Sequence, residues 1–293
     1  MRPRAGLVAV LFLAAAVPAH AAAVRVVTFN VLHGGLGSEL SGDGQQLERR
    51  LDLAAAGLGA LGADVVALQE ASVGAHRGDV AARLAARIGL PHVLLASPSG
   101  WLARLATLAL RLAEGPALLT RLPVRRTESR AVARCDETLA RALLCAELET
   151  TDGPLVACST HLDGSACELA SLATLLRARD ADAPLLLMGD LNATEDAPGM
   201  AELRTALGLV DAFRDANPDL PGATVWQPVT VAPRVARRRV DYVLVAPGGG
   251  RTLAVRESRV VLDRPHRTPL GTLWASDHYG VLADLEVVPA DGR

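Results

Sequence analysis

Apolar positions along this chain switch between two periods. Short runs, alternating or continuously apolar, predict strands at Val24–Phe29, Asp64–Gln69, Pro91–Ala96, Pro116–Arg121, Arg125–Ala133, Ala142–Glu149 and Pro154–Thr160. The same pattern returns at Pro184–Met188, Val240–Ala246, Val255–Leu262 and Tyr279–Val288. Helical spacing takes over where Leu47, Leu51, Ala54, Leu58 and Leu61 line one face of Gln45–Leu61. Val80, Leu84 and Ile88 mark a second helix, and Ala166–Asp180 a third. Strand–helix units mixed with consecutive hairpins imply two mixed or antiparallel sheets packed face to face, with helices outside. That is an α/β (α+β) chain. No repeat and no long linker divides it, so residues 22–293 are expected to form one domain.

Trp101–Glu114 departs from this economy. Arg104, Thr107, Arg111 and Glu114 share one helical face, and Trp101, Leu102, Leu105, Leu108 and Leu112 make a wide apolar arc. Such a helix can lie in a membrane interface as a peripheral contact or cover a lipid-binding cleft. The alternative is a helix packed on the domain's own core.

The N-terminus has the grammar of an export signal. Arg2 and Arg4 precede the apolar run Leu7–Val17, and Ala19-His20-Ala21 is a small-x-small cleavage site. Cleavage after Ala21 predicts a secreted or periplasmic protein, and loss of Arg2 and Arg4 moves the formal charge from -2 to -4. The apolar run is short for a membrane span, although an uncleaved anchor remains the alternative. Export suits the even set Cys135, Cys145, Cys158 and Cys167. If Glu149 opposes Pro154 across the Asp152-Gly153 turn, Cys145 faces Cys158, which leaves Cys135 for Cys167. Free buried thiols are the alternative.

Composition narrows the chemistry. Half the residues are hydrophobic but only 3% are aromatic, so the core is built mainly from Ala, Leu and Val. All 30 basic residues are Arg. A P-loop lysine and Schiff-base catalysis are therefore excluded, and the absence of G-x-S-x-G argues against a serine hydrolase.

Polar residues that suit phosphoester chemistry stand at strand ends. Glu70 follows the apolar run Asp64–Leu68, and Asn30 ends the first strand; both offer oxygen to a hard divalent cation. Asp190 and Asn192 follow Leu185-Leu186-Leu187-Met188 with the same parity. Asp190 suits a general base and Asn192 a donor to a phosphoryl oxygen. His161 ends the strand from Pro154, and His278 follows Asp277 before the last strand. Asp241 is a charge inside an apolar run, and a buried Asp needs a partner such as a histidine.

Together these segments resemble the endonuclease/exonuclease/phosphatase superfamily, the DNase-I-like metal-dependent phosphoesterases. The motifs run in order: Thr28-Phe29-Asn30, Leu68-Gln69-Glu70, Thr160-His161-Leu162-Asp163, Gly189-Asp190-Leu191-Asn192, Arg239-Val240-Asp241-Tyr242 and Ser276-Asp277-His278. The resemblance implies a four-layer αββα sandwich. It implies a Mg²⁺ site (Mn²⁺ as a substitute) at Asn30 and Glu70, with Asp277 a second-site ligand. It makes Asp190 the base, Asn192 the phosphate orienter, His161 and His278 the paired histidines, and Asp241 the residue that positions His278. Glu114 is the candidate partner of His161, and His33 is either a phosphate contact or simply a loop residue. Gly115-Pro116 stands where many members have Gly-Asn, which puts a substrate contact from that position in doubt.

The substrate is left as a phosphodiester: a lipid headgroup, a nucleic acid or a small diester. The basic run Arg234, Arg237, Arg238 and Arg239 can steer a phosphate anion or can simply be a solvated loop. A mildly acidic chain argues against a duplex binder. The expectation is a monomeric, secreted Mg²⁺-dependent phosphoesterase; the rival is a secreted binding or toxin-like module on the same fold.

Overall fold

The computed structural model of the chain describes residues 23–32, 46–74, 78–96, 113–133, 141–179, 181–225, 229–230, 236–268 and 271–290. The export segment, His33, Trp101–Leu112, Cys135 and Arg234 lie outside the described residues.

The first sheet contains β1 (Ala23–Asn30), β2 (Val65–Gly74), β3 (Gly78–Asp79), β4 (His92–Leu95), β5 (Ala113–Thr120), β12 (Arg251–Val261) and β15 (Gly280–Pro289). Its order is β12-β15-β1-β2-β5-β4, with β3 paired to β2. The second sheet contains β6 (Val124–Val132), β7 (Arg141–Thr150), β8 (Gly153–His161), β9 (Leu185–Asp190), β10 (Val210–Asp211) and β11 (Asp241–Ala246), in the order β10-β11-β9-β8-β7-β6. Two short strands, β13 (His266–Thr268) and β14 (Gly271–Leu273), pair apart from both. Helices α1 (Leu47–Leu61) and α2 (Val80–Ile88) cover the first sheet, and α3 (Ala166–Arg177) and α4 (Met200–Leu207) the second; α5 (Ala212–Ala216) is one short turn.

Alternation explains the layers. Val26, Val65, Leu118, Val281 and Leu285 face Leu144, Leu155, Leu186, Met188 and Val243 in a core between the sheets. The opposite faces carry Val27, Phe29, Val66 and Leu282 against Leu51, Leu58 and Leu84 of α1 and α2. On the far side Leu185, Leu187 and Leu244 meet Leu169, Leu172, Leu176 and Leu203. The result is the four-layer αββα sandwich.

One sequence expectation fails here. The helical period of Trp101–Glu114 does not survive at its end, because Ala113 and Glu114 are extended as the first residues of β5 and pair with Val73 and Ser72. Ladder pairing overrides local helix propensity. The hairpin register is as expected: Glu149 opposes Pro154, and Cys145 opposes Cys158. Those two cysteines form a disulfide. Cys167 is disulfide-bonded as well, and its expected partner lies outside the described residues.

Candidate active site

Parity carries polar side chains to one edge of the sandwich. The inward row of β1 runs Val26, Thr28, Asn30; that of β8 runs Ala157, Ser159, His161; that of β9 runs Leu186, Met188, Asp190. β1 and β2 are parallel, as are β8 and β9, so their C-terminal ends share an edge. β11 runs antiparallel to β9 and places Asp241 directly opposite Asp190. Each inward row is apolar in the middle and turns polar at this edge.

Glu70 arrives by a different route. Strict alternation would aim it at the helices. The β2–β5 register shifts between Leu68 and Ala71, and Glu70 takes φ 56°. A non-glycine residue in the left-handed region costs free energy of order 1–3 kcal/mol, and such residues gather at functional sites. Leu32 (φ 46°) and Asn192 (φ 51°) border the same edge, so three of the four positive-φ non-glycine residues among those described belong here.

The side chains converge. Asn30 Nδ2 donates to Glu70 Oε1 at 3.0 Å and to Asp190 Oδ2 at 3.1 Å. Its Oδ1 accepts from Leu32 N at 3.0 Å. Asn30, expected beside a metal, thus bridges two carboxylates through its nitrogen. Asp190 Oδ2 also lies 3.6 Å from His161 Nε2 and 3.7 Å from His278 Nε2. His278 Nδ1 sits 2.9 Å from Asp241 Oδ2, and the other oxygen of that buried carboxylate has no hydrogen-bond partner among the described residues. Asn192 Nδ2 donates to Leu162 O at 2.9 Å and faces His161 Nε2 at 3.2 Å. A phosphate oxygen that took the amide N–H would compete with His161. Asn192 N donates to Asp190 Oδ1 at 2.9 Å, and Ser276 Oγ donates to Asp277 Oδ1 at 3.2 Å. Glu114 is exposed near the start of β5, opposite Ser72, and the groups described around His161 include Asn192, Asp190, Arg141 and His278.

Burial and charge split the histidines. Desolvation lowers His161 to about 4, with Asp190 opposing and Arg141 and His278 assisting. Desolvation also acts on His278, but Asp241, Asp190 and Asp277 outweigh it and raise the group to about 10. His161 is therefore neutral and His278 protonated at neutral pH. Environments that push like groups apart are how a site assigns acid and base roles. Asp190 is raised by burial and by Asp241, against His278, His161 and Asn30.

A cation can be held in two places. Asp190, Asp241 and His278 offer ligand atoms within 4.8 Å of one another. In that trio a protonated imidazole already lies between the two carboxylates and leaves a single net negative charge, and a protonated His278 has no lone pair on Nε2 to offer a metal. Glu70 and Asp277 are different. Burial raises both, the Asp277 charge raises Glu70 further, and among the described residues neither forms an ion pair. Two buried oxygen-donor carboxylates that stay raised despite His278, and in Asp277 despite Arg50, fit a hard divalent cation.

Some supporting residues were not foreseen. Arg50 is buried in α1, its Nη1 donating to Val31 O at 3.1 Å and Ala275 O at 3.3 Å and its Nη2 to Leu32 O at 2.9 Å. It fastens the loop after Asn30 to the loop before Asp277. The signal was present: an arginine on the apolar face of an amphipathic helix. Thr28, Gln69 and Ser159 form a buried polar link between the sheets, with contacts of 3.3 Å at each step. The basic run also divides, because Arg237 and Arg238 are exposed while Arg239 is buried in ion pairs.

Known proteins share this fold. A model of the Endonuclease/Exonuclease/phosphatase family matches residues 27–278. An endonuclease/exonuclease/phosphatase family protein from Bacteroides thetaiotaomicron superposes with TM-score 0.72 at 16% identity, over 92% of this chain and 98% of that one. A mannosyl-6-phosphatase from the same organism gives TM-score 0.69 at 16% identity, over 90% and 99%. An endonuclease/exonuclease/phosphatase from Beutenbergia cavernae gives TM-score 0.62 at 25% identity, over 90% and 72%. No curated protein sequence matches the chain. The family match runs from β1 to His278 and takes in every strand end that builds the site, so the chain belongs to the endonuclease/exonuclease/phosphatase family, hydrolases of phosphoester bonds that use divalent metals.

Proposed function

We propose that this protein is an exported phosphoesterase that depends on Mg²⁺, with Mn²⁺ as a substitute, and cleaves phosphodiesters by in-line attack of water. The supporting observation is the Asp190 carboxylate, held by Asn30 at 3.1 Å with His161 and His278 at 3.6 and 3.7 Å. Asp190 takes a proton from the attacking water as its oxygen bonds to phosphorus and the bond to the leaving oxygen breaks. Protonated His278, oriented by Asp241, turns Nε2 toward the charge that builds on the phosphoryl oxygens. Asn192 supplies an N–H to one of those oxygens, and neutral His161 holds that amide in place beforehand. Glu70 and Asp277 would hold the cation, which when bound draws charge off the phosphoryl group.

Export is supported by the signal-like N-terminus and by the Cys145–Cys158 disulfide, since such bonds persist in oxidising compartments. Sequencing the N-terminus of the secreted protein should return Ala22; an intact Met1 would exclude cleavage. The decisive assay is hydrolysis of bis(p-nitrophenyl) phosphate, expected to vanish in EDTA and return with excess Mg²⁺. Undiminished turnover in EDTA would sink the metal role. Plasmid DNA, sphingomyelin and p-nitrophenyl phosphate run in parallel separate nucleic-acid, lipid and monoester substrates. A binding module would turn over none of them.

A further inference from the structure

Asn192 is in a left-handed conformation, and besides its bonds to Asp190, His161 and Leu162 its loop is met by a cluster of contacts from the segment Arg238–Tyr242. Leu191 N donates to Val240 O at 2.9 Å. The Tyr242 hydroxyl lies 2.8 Å from Ala193 O and 3.0 Å from Arg239 O. Arg238 Nη2 donates to Asn192 O at 3.3 Å. At the centre is the Arg239 guanidinium, with a side chain 4% exposed. Its Nε donates to Glu195 Oε1 at 2.7 Å, and its Nη2 to Asp211 Oδ2 at 2.6 Å. It stacks 4.5 Å from the Tyr242 ring and 5.6 Å from the Phe213 ring. Glu195 is also gripped by Arg214, through two contacts of 3.2 and 2.6 Å. Glu195 stands three residues after Asn192, and Arg239 two before Asp241.

We infer that Arg239 and Glu195 are positioning residues for the reaction: they lock the loop that carries Asn192 against the lead into Asp241, and so fix the amide that meets the phosphoryl oxygen. The inference rests on the phosphoesterase reading. The guanidinium fork suits this task because it engages two carboxylates and two ring faces at once, which a lysine cannot do. Asn192 pays a backbone strain cost, and strained residues persist only where the surroundings over-determine them. Loosening the lock lets the loop relax, and a displacement of about 1 Å at a reacting group can cost 10²-fold in rate.

The test is a double-mutant cycle on bis(p-nitrophenyl) phosphate. Arg239→Met is expected to lower kcat by roughly 10²-fold and Glu195→Gln by about 10-fold, both acting through Asn192. Asn192→Gly removes the amide while tolerating the positive φ. In that background the further loss from either variant should shrink by about tenfold, because coupled residues are not additive. A merely unstable variant loses active molecules equally in both backgrounds. Losses that multiply to within about twofold, as independent sites do, would overturn the inference. Arg239→Met leaves Asp211 buried without its partner and can fail to fold; Glu195→Gln, at a half-exposed position, then carries the test, and wild-type kcat in it overturns the idea. Amide hydrogen exchange gives a readout without turnover. Glu195→Gln should speed exchange at Leu191 while the amides of Leu186–Met188 stay protected, and unchanged exchange at Leu191 would also overturn the inference. An inactive parent enzyme, by contrast, removes the phosphoesterase reading, and exchange still decides whether the lock exists.

Discussion

Asp190 has five neighbours that matter: Asn30, His161, His278, the backbone N–H of Asn192 and the carboxylate of Asp241. Its acidity therefore reports on the whole cluster, and burial raises it above the usual carboxylate range. This sets a pH profile. Rate should fall on the acid side as Asp190 takes up a proton, and on the alkaline side as His278 loses one, at up to about 10. A divalent cation at Glu70 and Asp277 repels the imidazolium, so the metal-loaded enzyme should show its alkaline limb lower than that. An alkaline limb that persists unmoved in His278→Gln would take this histidine out of the profile. Asp190→Asn and His278→Ala should each lower kcat by roughly 10²–10⁴. The same shifts act on stability with opposite signs. The depressed His161 is neutral when folded, so its contribution is present above about 6.5 and is lost as pH falls toward about 4. The raised His278 contributes below about 6.5 and loses that contribution as pH climbs toward about 10. Thermal melts across this range check both.

At the scale of elements, the site depends on how closely β8 and β9 approach. A Cβ built on Gly189 would meet Thr160 O at 2.2 Å. No side chain fits, and the backbone pair would have to part just before Asp190. Gly189→Ala should cost about 1–3 kcal/mol, as overpacking does, and should lower turnover along with stability; a melting temperature equal to wild type would contradict the packing. Gly164 has the same duty on the other flank, where a Cβ would lie 2.5 Å from Asn192 O at φ 88°. The β2 bulge is the third device. It turns Glu70 from the helix side into the cleft. These three backbone features sit within a few residues of the chemistry, and none of them makes a direct contact with substrate in the proposed mechanism.

At the scale of the molecule, metal binding and folding are linked. A cation that binds only the folded chain raises stability by RT ln(1 + [L]/Kd), about 2.7 kcal/mol at a hundredfold excess over Kd. Mg²⁺ should raise the melting temperature of the wild type, and Glu70→Gln should remove that rise while leaving the metal-free melting temperature at or above wild type, because it deletes a raised, buried charge. An equal Mg²⁺ shift in both proteins would move the cation away from Glu70. How much of this architecture could be read beforehand follows from range. Runs such as Leu185–Met188 and the spacing of Leu47, Leu51 and Leu58 declare strands and a helix, because burial imposes a local period. The Cys145–Cys158 pair was legible because hairpin register follows from a tight turn. Glu114 was misplaced, since its helical period is a local signal and its pairing with Ser72 is not. The left-handed Glu70 and the ion pairs that bury Arg239 were hidden for the same reason, since their geometry is set by residues far along the chain, whereas Arg50 stands on the apolar face of α1 and left a local signal. By itself the order of motifs determined the family, the layered fold and which polar residues stand at strand ends. Only the folded chain decided which oxygen faces which nitrogen, that Asn30 bridges two carboxylates and that the two histidines carry different charge, because contact and desolvation are properties of proximity in space.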